Sequence, residues 1–133
     1  MNAKNPVDAE SPFKGKTGLV RIWNAFSYSL AGLRAAYRHE DAFRQEMWLA
    51  VVLIPVALLT PASGIGKALM IASLLLVLIV ELLNSAIEAA IDRISLDQHR
   101  LSKRAKDIGS ASVLITLLNV LAVWACILIG NLP

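Results

Sequence analysis

Two carboxylates lie inside an apolar stretch that is long enough to cross a membrane. Glu81 follows the uncharged run 68–80, and Glu88 comes seven residues after it. A charged side chain at bilayer depth costs several kcal/mol, so such residues usually mark a functional site. A carboxylate at this place could bind a polar group of a lipid, a solute or a metal ion. We therefore look for the function in this segment.

Other polar residues share the helix face of these two carboxylates. Positions 81, 84, 85, 88 and 92 are spaced so that all of them fall on one stripe of an α-helix. If a span of about 20 residues enters at residue 68, Glu81 lies on the order of 9 Å below the cytoplasmic boundary and Glu88 lies at it. Glu81 could then reach a lipid, and Glu88 could reach a solute or metal. The alternative is a structural role, with both carboxylates hydrogen-bonded to Asn84, Ser85 or another subunit.

Two further polar clusters flank the apolar segments. The first covers residues 39–46 and the second covers residues 102–110. Carboxylates together with a lysine suit Mg²⁺ and phosphate, because the oxygens are hard ligands and the ammonium is a point charge. Both clusters could converge with Glu88. For Arg44, Lys103 and Arg104 we favour the simpler interpretation that they snorkel to anionic lipid headgroups.

The apolar segments that must position these residues predict an all-α membrane protein. The chain has 133 residues, of which 56% are hydrophobic and only 6% aromatic. Uncharged or nearly uncharged runs cover 47–66, 68–91 and 108–133. A membrane span needs about 20 apolar residues, so three transmembrane helices are predicted at about 46–62, 67–92 and 107–131. The single cysteine, Cys126, excludes a disulfide within the chain.

The N-terminal part of the chain has a different character. Residues 1–16 are polar and predict a disordered leader, and 17–133 are predicted to form a single membrane-embedded domain. Residues 18–38 predict an amphipathic surface helix. Its apolar residues follow the 3.6-residue period: Leu19, Ile22, Trp23, Phe26, Leu30, Leu33 and Tyr37. This face can lie in the cytoplasmic membrane interface or pack on the helix bundle, and the two possibilities do not exclude each other.

The basic residues predict the orientation in the membrane. Twelve of the thirteen lysines and arginines lie before the first span or between the second and third, and Lys67 alone lies in the first link. The positive-inside rule makes the side with twelve basic residues cytoplasmic. The N-terminus is then cytoplasmic, and the C-terminus faces the outside. Because the basic residues flank membrane segments and form no face on a soluble domain, we expect no nucleic-acid partner.

Three segments of the chain resemble a known family of membrane enzymes. Residues 32–46, 81–93 and 104–111 are similar to the prokaryotic diacylglycerol kinases, and the resemblance runs from about Leu19 to near the C-terminus. It implies a small enzyme of the bacterial inner membrane with an N-terminal surface helix and three transmembrane helices. It also implies a homotrimeric helical bundle whose active sites are shared between subunits. The implied reaction transfers the γ-phosphoryl group of ATP, with Mg²⁺ as cofactor, to a lipid hydroxyl.

The resemblance also implies roles for individual residues. Glu81 corresponds to the general base, and Glu40 and Glu88 correspond to the metal ligands. Asn84 is expected to be a supporting residue of the site. The implied nucleotide site consists of Arg21, Tyr28, Glu40, Glu88, Asp97, Gln98, His99, Lys106 and Asp107. The implied lipid site consists of Arg21, Arg34, Glu46, Glu81, Ser110 and Trp124.

The expected reaction converts diacylglycerol to phosphatidic acid and serves phospholipid recycling. The segments 43–46 and 91–94 are more similar to the diacylglycerol branch of the family, and an undecaprenol kinase is the alternative. Two other classes stay open: a small proton-coupled transporter and a membrane-complex subunit without a site. A transporter needs access from both sides, whereas the polar clusters here all lie on the predicted cytoplasmic half.

Overall fold

The structure is a computed structural model that describes residues 18–94 and 99–130. In these ranges it consists of four helices: α1 (Leu19–His39), α2 (Asp41–Leu59), α3 (Gly64–Ile94) and α4 (Arg100–Gly130). The described residues contain no strand, so the predicted all-α class is confirmed. The predicted leader 1–16 lies outside the described residues. The helices form two compact units, one ending at Ala35 and the other beginning at Ala36.

Three of the helices are long and apolar enough to cross a membrane. They are α2, with 19 residues, and α3 and α4, with 31 residues each. At 1.5 Å per residue a helix of about 20 residues crosses the hydrocarbon core, so α3 and α4 extend beyond it. The predicted arrangement of three spans after an N-terminal helix is confirmed. The homotrimer and the single domain 17–133 stay predictions.

The first two spans meet at a short turn whose position differs from the prediction. Helix α2 ends at Leu59 rather than at 62, because Pro61 disfavours helical backbone at the residue before it. Thr60 closes this end, since its backbone N–H and its hydroxyl both donate to the carbonyl of Ala57. Helix α3 then begins at Gly64 rather than at 67. Ser63 caps it by accepting a hydrogen bond of 3.1 Å from the backbone N–H of Gly66.

The outer bounds of the helices also differ from the apolar runs. Helix α4 begins at Arg100, seven residues before the predicted 107, and α3 continues to Ile94. A prediction based on hydrophobicity finds only the membrane part of a helix, whereas hydrogen bonding continues it into polar turns. Helix α1 begins at Leu19, one residue after the predicted start, because Gly18 has a φ of 75°. Residue 131, the predicted end of the third span, lies outside the described residues.

Helix α3 is the central element of the unit that begins at Ala36, and it packs against both α2 and α4. Its buried face is lined by small and apolar residues and ends in two polar ones: Gly66, Met70, Ser73, Leu74, Val77, Glu81 and Ser85. The flanking helices bury residues at intervals of seven, which is about two turns: Phe43, Ala50 and Ala57 on α2, and Gly109 and Thr116 on α4. Small residues at such positions let membrane helices approach closely. This packing fixes the polar end of α3.

Candidate functional site

The first four residues of the polar stripe of α3 face the interior of the helix bundle, and Asp92 at its end is exposed. Glu81 is only 4% exposed and Ser85 only 9% exposed, while Asn84 and Glu88 are half-buried. Lipid cannot hydrogen-bond to these groups, so turning them inward avoids the cost of exposing them to hydrocarbon. Asn84 donates a hydrogen bond of 3.1 Å from Nδ2 to Oε1 of Glu88, one turn further along the helix. The stripe is therefore an ordered polar surface inside an apolar bundle.

Three further carboxylates lie within electrostatic range of Glu81, and with it they form the carboxylate cluster of this site. The charge of Glu81 interacts with those of Glu40 and Glu88, and Glu46 interacts with Glu81. Glu40 lies immediately before α2, Glu46 lies in the second turn of α2, and the other two carboxylates come from α3. Like charges gathered in a partly buried place repel each other unless a cation or a proton compensates them. The cluster is therefore suited to bind a cation or to exchange a proton.

The donor set fits a magnesium ion that arrives with a phosphate. Within residues 18–94 and 99–130, no three histidine, cysteine, aspartate or glutamate side chains are grouped so that they could hold a metal by themselves. Mg²⁺ commonly takes only one or two protein carboxylates and completes its octahedral shell with phosphate oxygens and water. Glu40 and Glu88, whose charges both interact with that of Glu81, could supply two such carboxylates.

Glu40 lies at the junction between α1 and α2, and Arg44 holds this junction. Glu40 has extended backbone angles, φ −112° and ψ 110°, and its side chain makes no capping hydrogen bond. Arg44 donates from Nη1 to the carbonyls of Tyr37 (2.9 Å) and Arg38 (3.1 Å), and its guanidinium pairs with Asp41. The predicted role of Arg44 was an interaction with lipid headgroups, and these contacts within the protein were not predicted. The Asp41–Arg44 spacing of i, i+3 on a helix could have indicated the ion pair.

Lys106 is held beside the carboxylate cluster by an acid that the sequence did not single out as its partner. Its Nζ donates a hydrogen bond of 2.6 Å to Oδ1 of Asp92, and it also interacts with the charge of Glu88. Asp92 is one turn beyond Glu88 on the same stripe of α3. Lys103, for which snorkelling was also favoured, pairs with Asp107 at 3.0 Å. A cation is therefore kept close to Glu88, one of the two predicted metal ligands.

An apolar cavity adjoins Glu46. It has a volume of about 280 Å³ and is lined by Glu46 and by aliphatic side chains of α2, α3 and α4, among them Leu53, Leu74 and Leu121. Oε2 of Glu46 is buried and has no hydrogen-bond partner among the described residues, and the same is true of Nε1 of Trp124. A cavity of this kind suits an aliphatic chain whose polar end reaches Glu46.

The structure brings together only part of the predicted site. The charges of Glu40, Glu46 and Glu88 each interact with that of Glu81, and Lys106 interacts with the charge of Glu88. Three of the remaining residues lie on α1, in the unit that ends at Ala35: Arg21, Tyr28 and Arg34. Asp107 and the exposed Ser110 lie on α4. His99 lies just before α4, and its Nδ1 accepts a hydrogen bond from the backbone N–H of Leu101. Asp97 and Gln98 lie outside the described residues.

The sequence matches one protein family over most of its length. The profile of the prokaryotic diacylglycerol kinases covers residues 27–128. The diacylglycerol kinase of Pseudomonas aeruginosa is 62% identical over 120 residues, which are 90% of this chain and 98% of that protein. The diacylglycerol kinase of Haemophilus influenzae is 51% identical over 84% of this chain and 95% of that protein. The diacylglycerol kinase of Escherichia coli is 49% identical over 86% of this chain and 93% of that protein. The chain is therefore a bacterial membrane protein that belongs to the prokaryotic diacylglycerol kinase family.

Proposed function

We propose that this protein is a diacylglycerol kinase that transfers the γ-phosphoryl group of Mg-ATP to the hydroxyl of diacylglycerol and yields phosphatidic acid. The observation that carries the proposal is the buried carboxylate Glu81, whose charge interacts with Glu46 at the apolar cavity and with Glu40 and Glu88. This arrangement suits a lipid hydroxyl on one side and a charged nucleotide on the other. The names of the relatives point to the same substrate.

The nucleotide side of the site depends on charge neutralisation and positioning, which supply most of the catalysis in phosphoryl transfer. Glu40 and Glu88 would hold Mg²⁺, which neutralises phosphate charge when it is bound. The ammonium group of Lys106 would stabilise the charge that develops on the γ-phosphoryl group. Asp92 pairs with this ammonium group and would orient it toward the nucleotide. Arg21, Tyr28, Asp97, Gln98, His99 and Asp107 would complete the nucleotide site.

The lipid side of the site would be the cavity that Glu46 lines. One acyl chain of diacylglycerol would fill the aliphatic cavity, and Oε2 of Glu46 would interact with the polar glycerol end. Trp124 has an indole N–H that is buried without a partner in the described ranges, and a lipid ester oxygen would accept its hydrogen bond. Arg21, Arg34 and Ser110 would complete this side. The transporter alternative has no such division into a lipid side and a phosphate side.

The chemical step needs one proton acceptor. The carboxylate of Glu81 would take the proton of the lipid hydroxyl while the hydroxyl oxygen attacks the γ-phosphorus. The bond between the γ-phosphorus and the bridging oxygen breaks, and ADP leaves with that oxygen. Asn84 would support this step by holding Glu88, with which it shares a hydrogen bond. The product phosphatidic acid remains in the membrane, where it can re-enter phospholipid synthesis, so the enzyme would serve lipid recycling.

The lipid acceptor can be identified with purified protein. We expect γ-³²P-labelled ATP and Mg²⁺ to give labelled phosphatidic acid when diacylglycerol is supplied in mixed micelles, and much less labelled lipid when undecaprenol is supplied. Thin-layer chromatography of the extracted lipid separates the two products. Preferential labelling of undecaprenol would make the protein an undecaprenol kinase, and labelling of neither lipid would refute the kinase proposal.

The orientation of the site must match the source of ATP. We propose an inner-membrane protein with a cytoplasmic N-terminus and an outward C-terminus, because twelve of the thirteen basic residues lie on the side of Glu40, Glu88 and Lys106. The active sites would be shared between the subunits of a homotrimer, as the resemblance implies.

A labelling experiment in intact cells tests this orientation. Starting from Cys126→Ser, we expect an impermeant maleimide to label Gly64→Cys from outside and to label Leu101→Cys only after permeabilisation. Both positions are exposed, and a side chain at Gly64 meets open space. Neither substitution changes the charge bias. Labelling of Leu101→Cys in intact cells would invert the protein and place the site away from cytoplasmic ATP.

A further inference from the structure

Gly109 on α4 lies directly against the side chain of Asn84 on α3. A β-carbon built on Gly109 would overlap with Oδ1 of Asn84 and would lie 3.3 Å from its Cγ. Gly109 is itself buried, and among the described residues outside its own helix turn only Asn84 comes within 4 Å of that β-carbon. Any side chain at position 109 would therefore compete with Asn84, and with Asn84 alone, for the same space.

The orientation of the Asn84 amide follows from its two neighbours. Glu88 accepts a hydrogen bond of 3.1 Å from Nδ2. An ionised carboxylate can only accept hydrogen bonds, so the nitrogen of the amide must face Glu88 and the oxygen must point the other way. That oxygen points at Gly109, and it is buried without a hydrogen-bond partner in the part of the chain that the structure describes. Asn84 has this orientation because position 109 leaves room for its oxygen.

We propose that Gly109 is a positioning residue for the metal of Mg-ATP: its missing side chain lets Asn84 hold the carboxylate of Glu88 in its binding orientation. The inference rests on the proposed function, since Glu88 binds a metal only in that mechanism. Mg²⁺ demands nearly ideal octahedral geometry, so a ligand that can rotate freely binds it poorly. Groups that hydrogen-bond to a ligating carboxylate restrict this rotation and commonly change metal affinity by about 10–100-fold.

A side chain at position 109 should impair this arrangement more than it impairs folding. The atom in the way is the end of the Asn84 side chain, not the backbone of α3. Asn84 can therefore rotate away at little cost, and the helices can keep their packing. What is lost is the hydrogen bond to Glu88. A substitution at Gly109 should therefore weaken metal binding, whereas a substitution at a glycine that serves only helix contact would weaken folding.

The test measures metal binding without turnover. We expect Gly109→Ala to raise the Kd for Mn²⁺, measured by electron paramagnetic resonance with the full-length protein and a non-hydrolysable ATP analogue, by about tenfold. Gly130→Ala is the matched control, because it is the same substitution on the same helix at a glycine with open space around it. The Kd and the unfolding temperature of Gly130→Ala should stay close to those of the wild type.

A double-mutant cycle shows whether Gly109 acts through Asn84. Asn84→Ala should weaken Mn²⁺ binding by a similar factor, and adding Gly109→Ala to it should have no further effect. Unchanged Mn²⁺ binding in Gly109→Ala, or an equal further loss in the Asn84→Ala background, would overturn the proposal. If Gly109→Ala does not fold, the double variant Asn84→Ser/Gly109→Ala provides the test, because the shorter serine leaves room for the alanine. This double variant should fold and should bind Mn²⁺ as tightly as Asn84→Ser does. A double variant that fails to fold would also overturn the proposal.

The same experiment separates this inference from the function on which it rests. Lipid phosphorylation by the wild type tests the kinase proposal alone. A wild type that phosphorylates diacylglycerol while Gly109→Ala binds Mn²⁺ normally would refute only the role of Gly109. A wild type without lipid kinase activity would refute the function whatever the variants do.

Discussion

Glu81→Gln is expected to abolish phosphoryl transfer and to leave the fold intact. The amide has the shape of the carboxylate but cannot take a proton from the lipid hydroxyl, and loss of a general base costs about 10²–10⁴-fold in rate. Glu81 is 4% exposed and lies among three other carboxylates, so the neutral amide removes repulsion at no cost in volume. We therefore expect an unfolding temperature equal to or above that of the wild type. Functional residues often show this opposition of activity and stability.

The neighbouring carboxylate provides the matched comparison for Glu81. Glu46→Gln makes the same chemical change at the entrance of the apolar cavity, and there we expect a higher KM for the lipid with little change in kcat. Initial rates at saturating diacylglycerol distinguish the two effects. Near-normal kcat in Glu81→Gln would show that Glu81 is not the base. Loss of activity together with a large drop in unfolding temperature would make Glu81 a structural residue.

Glu88→Ala is expected to reduce the use of Mg-ATP by about 100-fold, which corresponds to about 3 kcal/mol of charge stabilisation. The change removes one of two proposed metal ligands and also the acceptor of the Asn84 hydrogen bond. The dependence of the rate on free Mg²⁺ at fixed ATP is the measurement. The curve should move to higher Mg²⁺ concentrations, because one remaining carboxylate binds the ion less tightly.

The second proposed ligand gives an independent check on the metal site. Glu40→Ala should shift the Mg²⁺ curve in the same direction, although Glu40 lies at the α1–α2 junction and Glu88 lies on α3. The shorter carboxylates of Glu40→Asp and Glu88→Asp should recover part of the activity at raised Mg²⁺. An unchanged Mg²⁺ dependence in both alanine variants would contradict a shared metal site.

The features that could be predicted from the sequence are those encoded locally. Hydrophobicity over about 20 residues defines a span, and a period of 3.6 residues puts the polar residues of α3 on one face. Both signals are contained within one helix, so the three spans and the inward stripe with Glu81 and Glu88 could be predicted from the sequence. The ends of the helices were harder to predict. Hydropathy does not indicate the capping by Thr60 and Ser63 or the polar first turns of α4.

Contacts between helices could not be predicted in the same way. Lys106 and Asp92 are fourteen residues apart and meet only because α4 returns alongside α3. The sequence does not distinguish Gly109 from other helical glycines, and only the structure shows that it contacts the side chain of Asn84. Such pairs depend on the relative rotation of two helices, which one sequence does not specify. Arg44 is an intermediate case, since its ion pair with Asp41 is local but its bonds to the end of α1 are not.

The short turn between α2 and α3 has a consequence for the biosynthesis of the protein. Four residues, 60–63, separate the two helices, and they can reach at most about 14 Å, less than half of a hydrocarbon core of about 30 Å. The two helices must therefore enter the bilayer as a hairpin. A carboxylate near the middle of an inserting helix costs about 3 kcal/mol, and nine leucine, isoleucine and valine residues in 68–80 return about 3–5 kcal/mol. The apolar half of α3 thus carries Glu81 into the membrane during insertion.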